Sequence, residues 1–143
     1  MKSSILVIGC FDTKGAAFSF LRSCLLARGE AVLTLNTGVM ETRVDFPVDF
    51  PAEHVAAAAG SSLTVLRAGA DRGHAVRVMG AGAACLVREL VRAGRVKAAI
   101  GMGGGGGTFM VLSAMQEIPF GVPKLCLSTL ATKDVSRQVG TKD

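Results

Sequence analysis

The chain has 143 residues, half of them apolar and 19% charged, with a formal net charge of +5. That length fits one domain with a sizeable core, and that balance excludes a disordered chain. Trp and Tyr are absent, so the usual aromatic platforms for stacked bases are missing. The arginines are scattered over expected helix faces and ends rather than massed in a stripe, and nucleic acid is not an expected partner.

Cys10, Cys24, Cys85 and Cys126 form no Cys-x-x-Cys pair, and His54 and His74 stand at no ligand spacing from them. Zinc is therefore not expected. Cys24 and Cys85 fall in apolar helical stretches and read as core. The pattern fits a reducing, cytoplasmic compartment. No apolar run is long enough for a bilayer, and the start reads as a first strand rather than a signal peptide.

In chain order, Ile5 to Ile8 is a short apolar run closed by Gly9, a buried parallel strand. Asp12 to Lys14 form a loop. Ala16 to Arg28 then reads as a helix, with Phe18, Leu21, Leu25 and Leu26 at helical spacing and Gly29 as its stop. Ala31 to Leu35 is a second strand. The stretch Asn36 to Pro51 holds Gly38, Pro47 and Pro51 and reads as a long excursion, a flap or a dimer contact. Helical pattern returns at Ala52 to Ala59, and Ser61-Ser62 caps Leu63 to Ala70.

Ala75 to Ala93 is the longest helical segment, with Val78, Ala81, Cys85, Leu86, Leu90 and Val91 on one side. Gly80 and Gly82 inside it point to close helix-to-sheet packing, each at a cost of roughly 1 kcal/mol against Ala. Val96 to Ile100 is a third strand, Thr108 to Gln116 a helix, Pro119 to Pro123 a turn and Lys124 to Leu127 a fourth strand. Apolar strands alternating with helices define the class: an α/β, Rossmann-like open parallel sheet with helices on both faces. Ligands of such sheets bind beyond the carboxyl ends of the strands. Those ends carry Cys10 to Gly15, Asn36 to Gly38, Gly101 to Thr108 and Ser128 to Thr132, all on one side.

Three constellations there carry chemistry. The first is Gly103, Gly104, Gly105, Gly106 and Gly107, followed by Thr108. Bare glycines let backbone N–H groups approach an anion, the following helix adds its positive end, and Thr108 offers a hydroxyl. The third strand, not the first, precedes these glycines, which argues against a nicotinamide dinucleotide; the P-loop pattern fails because no Lys follows Gly107. The second constellation is Asp12, Thr13 and Lys14, with a carboxylate for a metal ion or hydroxyl and two groups for a phosphate; by themselves these residues equally suit a helix cap from Asp12 or Thr13 with Lys14 in solvent. The third is the hydroxyls of Ser128 and Thr129, in a loop running on to Thr132. Asn36 stands where many doubly wound folds place a ribose-binding acid.

Ile8-Gly9-Cys10-Phe11-Asp12-Thr13-Lys14-Gly15, Phe20-Leu21-Arg22, Asp71-Arg72-Gly73, Gly101 to Thr108, Ser128-Thr129 and Val139-Gly140-Thr141 together resemble a known pattern. They resemble the N-terminal part of the ATP-binding family typified by the tomato-mosaic-virus resistance protein. The resemblance runs in order over nearly the whole chain. It implies ATP binding with the glycine run near the phosphates. It also implies that residues 1–143 are one domain of a longer protein, whose second domain is barrel-like. The chain departs from the family pattern at Cys10, Ala17, Asn36, Gly105 and Gln138, where the family has Thr, Glu, Asp, Ser and Tyr.

The expected function is thus ATP or nucleotide binding, with phosphates on the glycine loop. Mg²⁺ is expected to accompany the nucleotide, with Asp12 its one visible candidate ligand, and a homo-oligomer is expected. Two alternatives stand beside it. One is the phosphate-binding half of a two-domain hydrolase or lyase whose catalytic barrel lies elsewhere. The other is an interaction module that nucleotide stabilises.

Overall fold

The computed structural model describes residues 2–130, 133–134 and 136–139. Ala131 and Thr132 of the last candidate loop, and Gly140 and Thr141 of the resemblance, lie outside the described residues. Ser4–Gly9 is strand β1. Its Leu6, Val7 and Ile8 are wholly buried, because it lies inside a parallel sheet covered on both sides. Val32–Asn36 (β2), Val96–Gly103 (β3) and Lys124–Ser128 (β4) complete the sheet. Every pairing is parallel and the order is β2-β1-β3-β4. The α/β, Rossmann-like class read from the sequence is the one that forms. The chain leaves β1 for β2 on one side and later crosses back to β3 on the other. Segments leaving β1 and β3 therefore diverge, and that divergence opens a crevice at their carboxyl ends.

Helices take both faces. Gly15–Ala27 (α1) covers one, where its Phe18 and Leu25 pack with Val7, Phe11 and Phe46. On the other, Ala52–Ala58 (α2), Leu63–Gly69 (α3), Arg72–Arg92 (α4) and Gly105–Met115 (α5) close over Leu6, Ile8, Leu33 and Leu35. A short helix, Ser136–Val139 (α6), lies against α5. Ser62 caps α3 by accepting from the Val65 N–H at 3.2 Å. Gly29 and Gly94 end α1 and α4 with φ of 80° and 69°, where a side chain would be strained.

Several expectations change. Helix α4 starts at Arg72, not Ala75, because Asp71 caps it by accepting from the His74 N–H at 3.0 Å. Its buried side is Ala75, Met79, Gly80, Gly82, Ala83, Val87 and Leu90. Ala81 is exposed, and Cys85 and Leu86 are half-buried. The helix is wedged between α2 and α5, so burial follows the closest approach of neighbours rather than side-chain size. The approach is helix to helix, not helix to sheet: a methyl on Gly82 would land on the Val55 carbonyl oxygen of α2, and one on Gly80 would press Ser113 of α5 at 3.2 Å. Cys24 is also half-buried rather than core. Helix α5 begins at Gly105 instead of Thr108, since tertiary packing overrides the poor helix propensity of glycine.

The excursion after β2 is stitched to its own domain rather than standing off as a flap. The Asn36 N–H donates to the Phe50 carbonyl at 3.0 Å and the Arg43 N–H to the Phe11 carbonyl at 2.9 Å. The Asp49 carboxylate accepts from the Thr34 N–H and hydroxyl at 2.8 and 3.1 Å. Phe46 meets Phe11 edge-on at 5.3 Å between ring centres. No helix among the described residues is long and apolar enough to cross a membrane.

Candidate functional site

A cleft of about 610 Å³ opens over the carboxyl ends of β1 and β3. Its walls include Cys10, Asp12, Thr13 and Lys14 after β1, and Gly103 to Gly107 after β3. Two sequence-distant candidate groups therefore meet, as the topology demands. The wall opposite comes from Thr37 and Gly38, at the strand end already expected to face the ligand, and from Val39, Met40, Leu66, Arg67, Ala70, Asp71, Arg72, Ala75 and Val76, which the sequence did not place at the site.

Within the glycine run the six small residues do different work. Gly101 and Gly103 let β3 approach α5; a methyl on Gly103 would sit 2.6 Å from the backbone of Gly107 and Thr108. Gly106 faces Val76 of α4, with 2.9 Å left for a methyl. Gly104, Gly105 and Gly107 are different. A methyl there would meet ordinary contacts at 3.7 Å and 3.8 Å for Gly104 and Gly107, and nothing within 4 Å for Gly105. None of the three has a positive φ. The protein itself thus does not require them to be bare.

The first intrahelical bond of α5 runs from the Thr108 N–H to the Gly104 carbonyl at 2.9 Å. The N–H groups of Gly105, Gly106 and Gly107 precede it and are the helix's unfilled donors, the partial positive end that favours an anion. The Thr108 N–H and hydroxyl are both committed inward. Its Oγ1 lies 2.5 Å from Ser128 Oγ, which also accepts from the Leu130 N–H at 3.0 Å. Thr108 is only 2% exposed. The Thr129 N–H donates to the Gly103 carbonyl at 3.2 Å. Thr108, Ser128 and Thr129 therefore brace the glycine turn from behind instead of lining the cleft.

Asn36 is likewise placed beneath the walls. It is fully buried, its Oδ1 accepts from the Phe11 and Gly38 N–H groups at 3.0 and 2.8 Å, and its Nδ2 donates to Thr42 Oγ1 at 3.0 Å. It fixes the loops after β1 and β2 against each other. Asp12 ties the same loops from the cleft side: Oδ2 accepts from the Met40 N–H at 3.1 Å. Its Oδ1 is buried with no hydrogen-bond partner among the described residues, and a methyl on Gly38 would collide with it.

The cleft's cations are Lys14, Arg67 and Arg72, against the carboxylates of Asp12 and Asp71. The Arg67 Nε donates to the Val39 carbonyl at 2.6 Å, so α3 holds the wall loop. Asp71 is engaged as the α4 cap. Lys14 and Arg72 are exposed, and neither makes an ion pair among the described residues. Burial pushes the Cys10 thiol above its ordinary range, opposed by its contact with the Thr37 hydroxyl at 3.5 Å, so it stays a neutral wall group. No cluster of three His, Cys, Asp or Glu among the described residues could hold a metal ion. Asp12 alone, with one oxygen bonded and the other buried, does not make a protein metal site.

Arg67 and Arg72 were not placed at the site because each reads as ordinary helix-end charge, and Asp71 and Arg72 entered only as part of the Asp71-Arg72-Gly73 motif of the resemblance, with no role. The available signal was Asp71 as an N-cap, which puts the start of α4, and hence Arg72, at a fixed end of the molecule.

Fold and cleft together define an α/β domain with a crevice at the switch point of a parallel sheet. Residues 3–143 match the model described as "Uncharacterised protein family (UPF0261) N-terminal domain", and the chain belongs to that family. It is 35% identical to a UPF0261 protein of Clostridium tetani, covering 100% of this chain and 35% of that protein. It is 37% identical to a UPF0261 protein of Mesorhizobium japonicum, covering 97% of this chain and 34% of that protein. Tomato "ToMV susceptible protein tm-1(GCR26)" is 30% identical over 97% of this chain and 20% of its own length, in keeping with the resemblance read from the motifs. The chain spans about a third of the length of the bacterial relatives.

Proposed function

We propose that the cleft binds ATP or a closely similar nucleotide. In this reading the phosphates sit on the free N–H groups of Gly105 to Gly107, between Lys14 and Arg72. The base and sugar take the less polar wall of Val39, Met40, Leu66 and Val76. One observation carries the reading: Gly104, Gly105 and Gly107 line the cleft and need not be bare for the protein's own packing. Their missing side chains are explained by an occupant that approaches the backbone. The positive helix end and the two cations, without an ion pair among the described residues, suit a polyanion, and the adjoining apolar wall suits more than a bare phosphate. Mg²⁺, arriving on the phosphates, would neutralise part of their charge.

The reading is one of binding. His54 and His74 do not line the cleft, and the Cys10 thiol, which burial pushes above its ordinary range, has no histidine beside it to activate it as a nucleophile. The free cysteines agree with the cytoplasmic setting this reading assumes, and native mass spectrometry reports the oligomeric state and any co-purified nucleotide together. Isothermal titration with ATP and ADP tests the binding itself. Saturable heat is expected with both, weakened when Gly105 becomes Ala and when Lys14 becomes Ala. A flat titration with both nucleotides at millimolar concentration would sink the reading.

A further inference from the structure

The two faces of the sheet are unequally covered. On one face of β4, Lys124, Cys126 and Ser128 are half-buried, and Cys126 packs against the core that α5 closes. On the other face stand the larger apolar side chains, Leu125 and Leu127, 57% and 62% exposed. Their register partners are Ile100 and Met102 of β3, and Ile100 in turn pairs with Val7. The leucines therefore continue the face on which α1 lies, but α1 packs on β1 and β2. On α1, Ser19 and Arg22 reach the loop after β2, through Asp45 and Phe46. By helical phase the opposite flank carries Cys24 and Phe20, and Phe20 is 73% exposed. The far edge of β4 pairs with no strand among the described residues.

An edge strand that turns leucines outward beside a sheet otherwise covered on both faces is an incomplete layer. We infer that this surface is the seat of the polypeptide that follows the domain in longer members of the family. The matched unit is an N-terminal domain, and it accounts for about a third of the bacterial relatives, so covering chain is available in them. The fit has two parts. A fifth parallel strand, brought by a right-handed crossover, pairs with the free edge of β4. An apolar-faced helix then lies beside α1 over Leu125, Leu127, Ile100 and Met102. This inference is independent of what the cleft binds, since none of Ile100, Met102, Leu125 and Leu127 lines the cleft.

The test compares amide hydrogen exchange in residues 1–143 alone with exchange in the natural polypeptide that continues past Asp143. Exchange at Leu125 to Leu127 is expected to slow by roughly tenfold or more in the longer polypeptide. Changing Leu125→Asp and Leu127→Asp together in the longer polypeptide should abolish that slowing while leaving exchange in β1 unchanged. Equal exchange in the two chains would overturn the inference, as would a natural polypeptide that stops at Asp143. So would protection that arises in residues 1–143 alone as concentration rises and is lost in the double variant, because the occupant would then be a second copy.

Discussion

Two places in this molecule lack side chains for opposite reasons. In the seam between α2 and α4, Gly82 lies under the Val55 carbonyl, and the protein's own backbone fills the room a methyl would need. At the first turn of α5, Gly105 has nothing within 4 Å of that room. The seam is complete within the chain, and its glycine is a packing residue. The helix start is incomplete, with bare backbone donors facing a cleft beside Lys14 and Arg72, which make no ion pair among the described residues. A glycine count alone cannot separate these cases; the surroundings of the absent Cβ can.

Substitutions sharpen that contrast, and the largest effect belongs to the seam. Gly82→Val should destabilise the fold by about 3 kcal/mol, read as a lowered urea midpoint, because α2 and α4 must separate. A midpoint within experimental error of the parent would mean that the seam is looser than described. Asn36→Ala comes next, at about 2 kcal/mol, since it leaves the Phe11 and Gly38 N–H groups buried without an acceptor. Urea unfolding measures this too, and an unchanged midpoint would remove Asn36 as the brace between the two loops. At the helix start the sign differs. Gly105→Ala should leave stability unchanged or raise it by up to about 1 kcal/mol, while ATP affinity falls about tenfold, or about 1.4 kcal/mol. Loss of stability with full retention of affinity would invert the comparison.

The smallest effect is on pH dependence. Burial raises the Cys10 and Cys126 thiols above the ordinary 9.0. The unfolded chain therefore gives up these protons first as pH rises. The stability tied to the protonated thiols is complete below the ordinary thiol value of 9.0 and is lost as pH climbs through the raised values of the folded chain. Unfolding midpoints in reductant should fall between neutral pH and pH 10, and less so in Cys10→Ala. A midpoint that rose over that interval would contradict the assignment.

Much of the fold was readable along the chain because its signals are local. Ile5 to Ile8 and Val96 to Ile100 are apolar runs bounded by breakers, Ser62 announces a cap, and the parallel class follows from alternation. The buried face of α4 was not readable. Its closest approaches are made at Gly80 and Gly82, which carry no apolar side chain, so a face set by the period of Val78, Ala81 and Cys85 turns the helix away from its true neighbours. The candidate site was legible in part for the same reason. Asp12 to Lys14 and the glycine run share the carboxyl ends of neighbouring strands, and topology brings them together. Asn36, Thr108 and Ser128 also lie at those ends, but their hydrogen bonds turn inward, and the direction of a side chain depends on partners far away in sequence. Arg67 and Arg72 reach the cleft from a helix pair that follows no strand, where the rule of strand ends gives no guidance.

The central claim is that the bare first turn of α5 holds a nucleotide's phosphates. Amide chemical-shift mapping tests it most directly in a chain of 14.7 kDa, because glycine amides resonate apart from the rest. Adding ATP should shift the amides of Gly105, Gly106 and Gly107 most strongly, with smaller shifts at Lys14 and Arg72, and with those of Gly82 unmoved. Saturating ATP that leaves Gly105 to Gly107 in place, or that shifts a surface away from the cleft, would contradict the account.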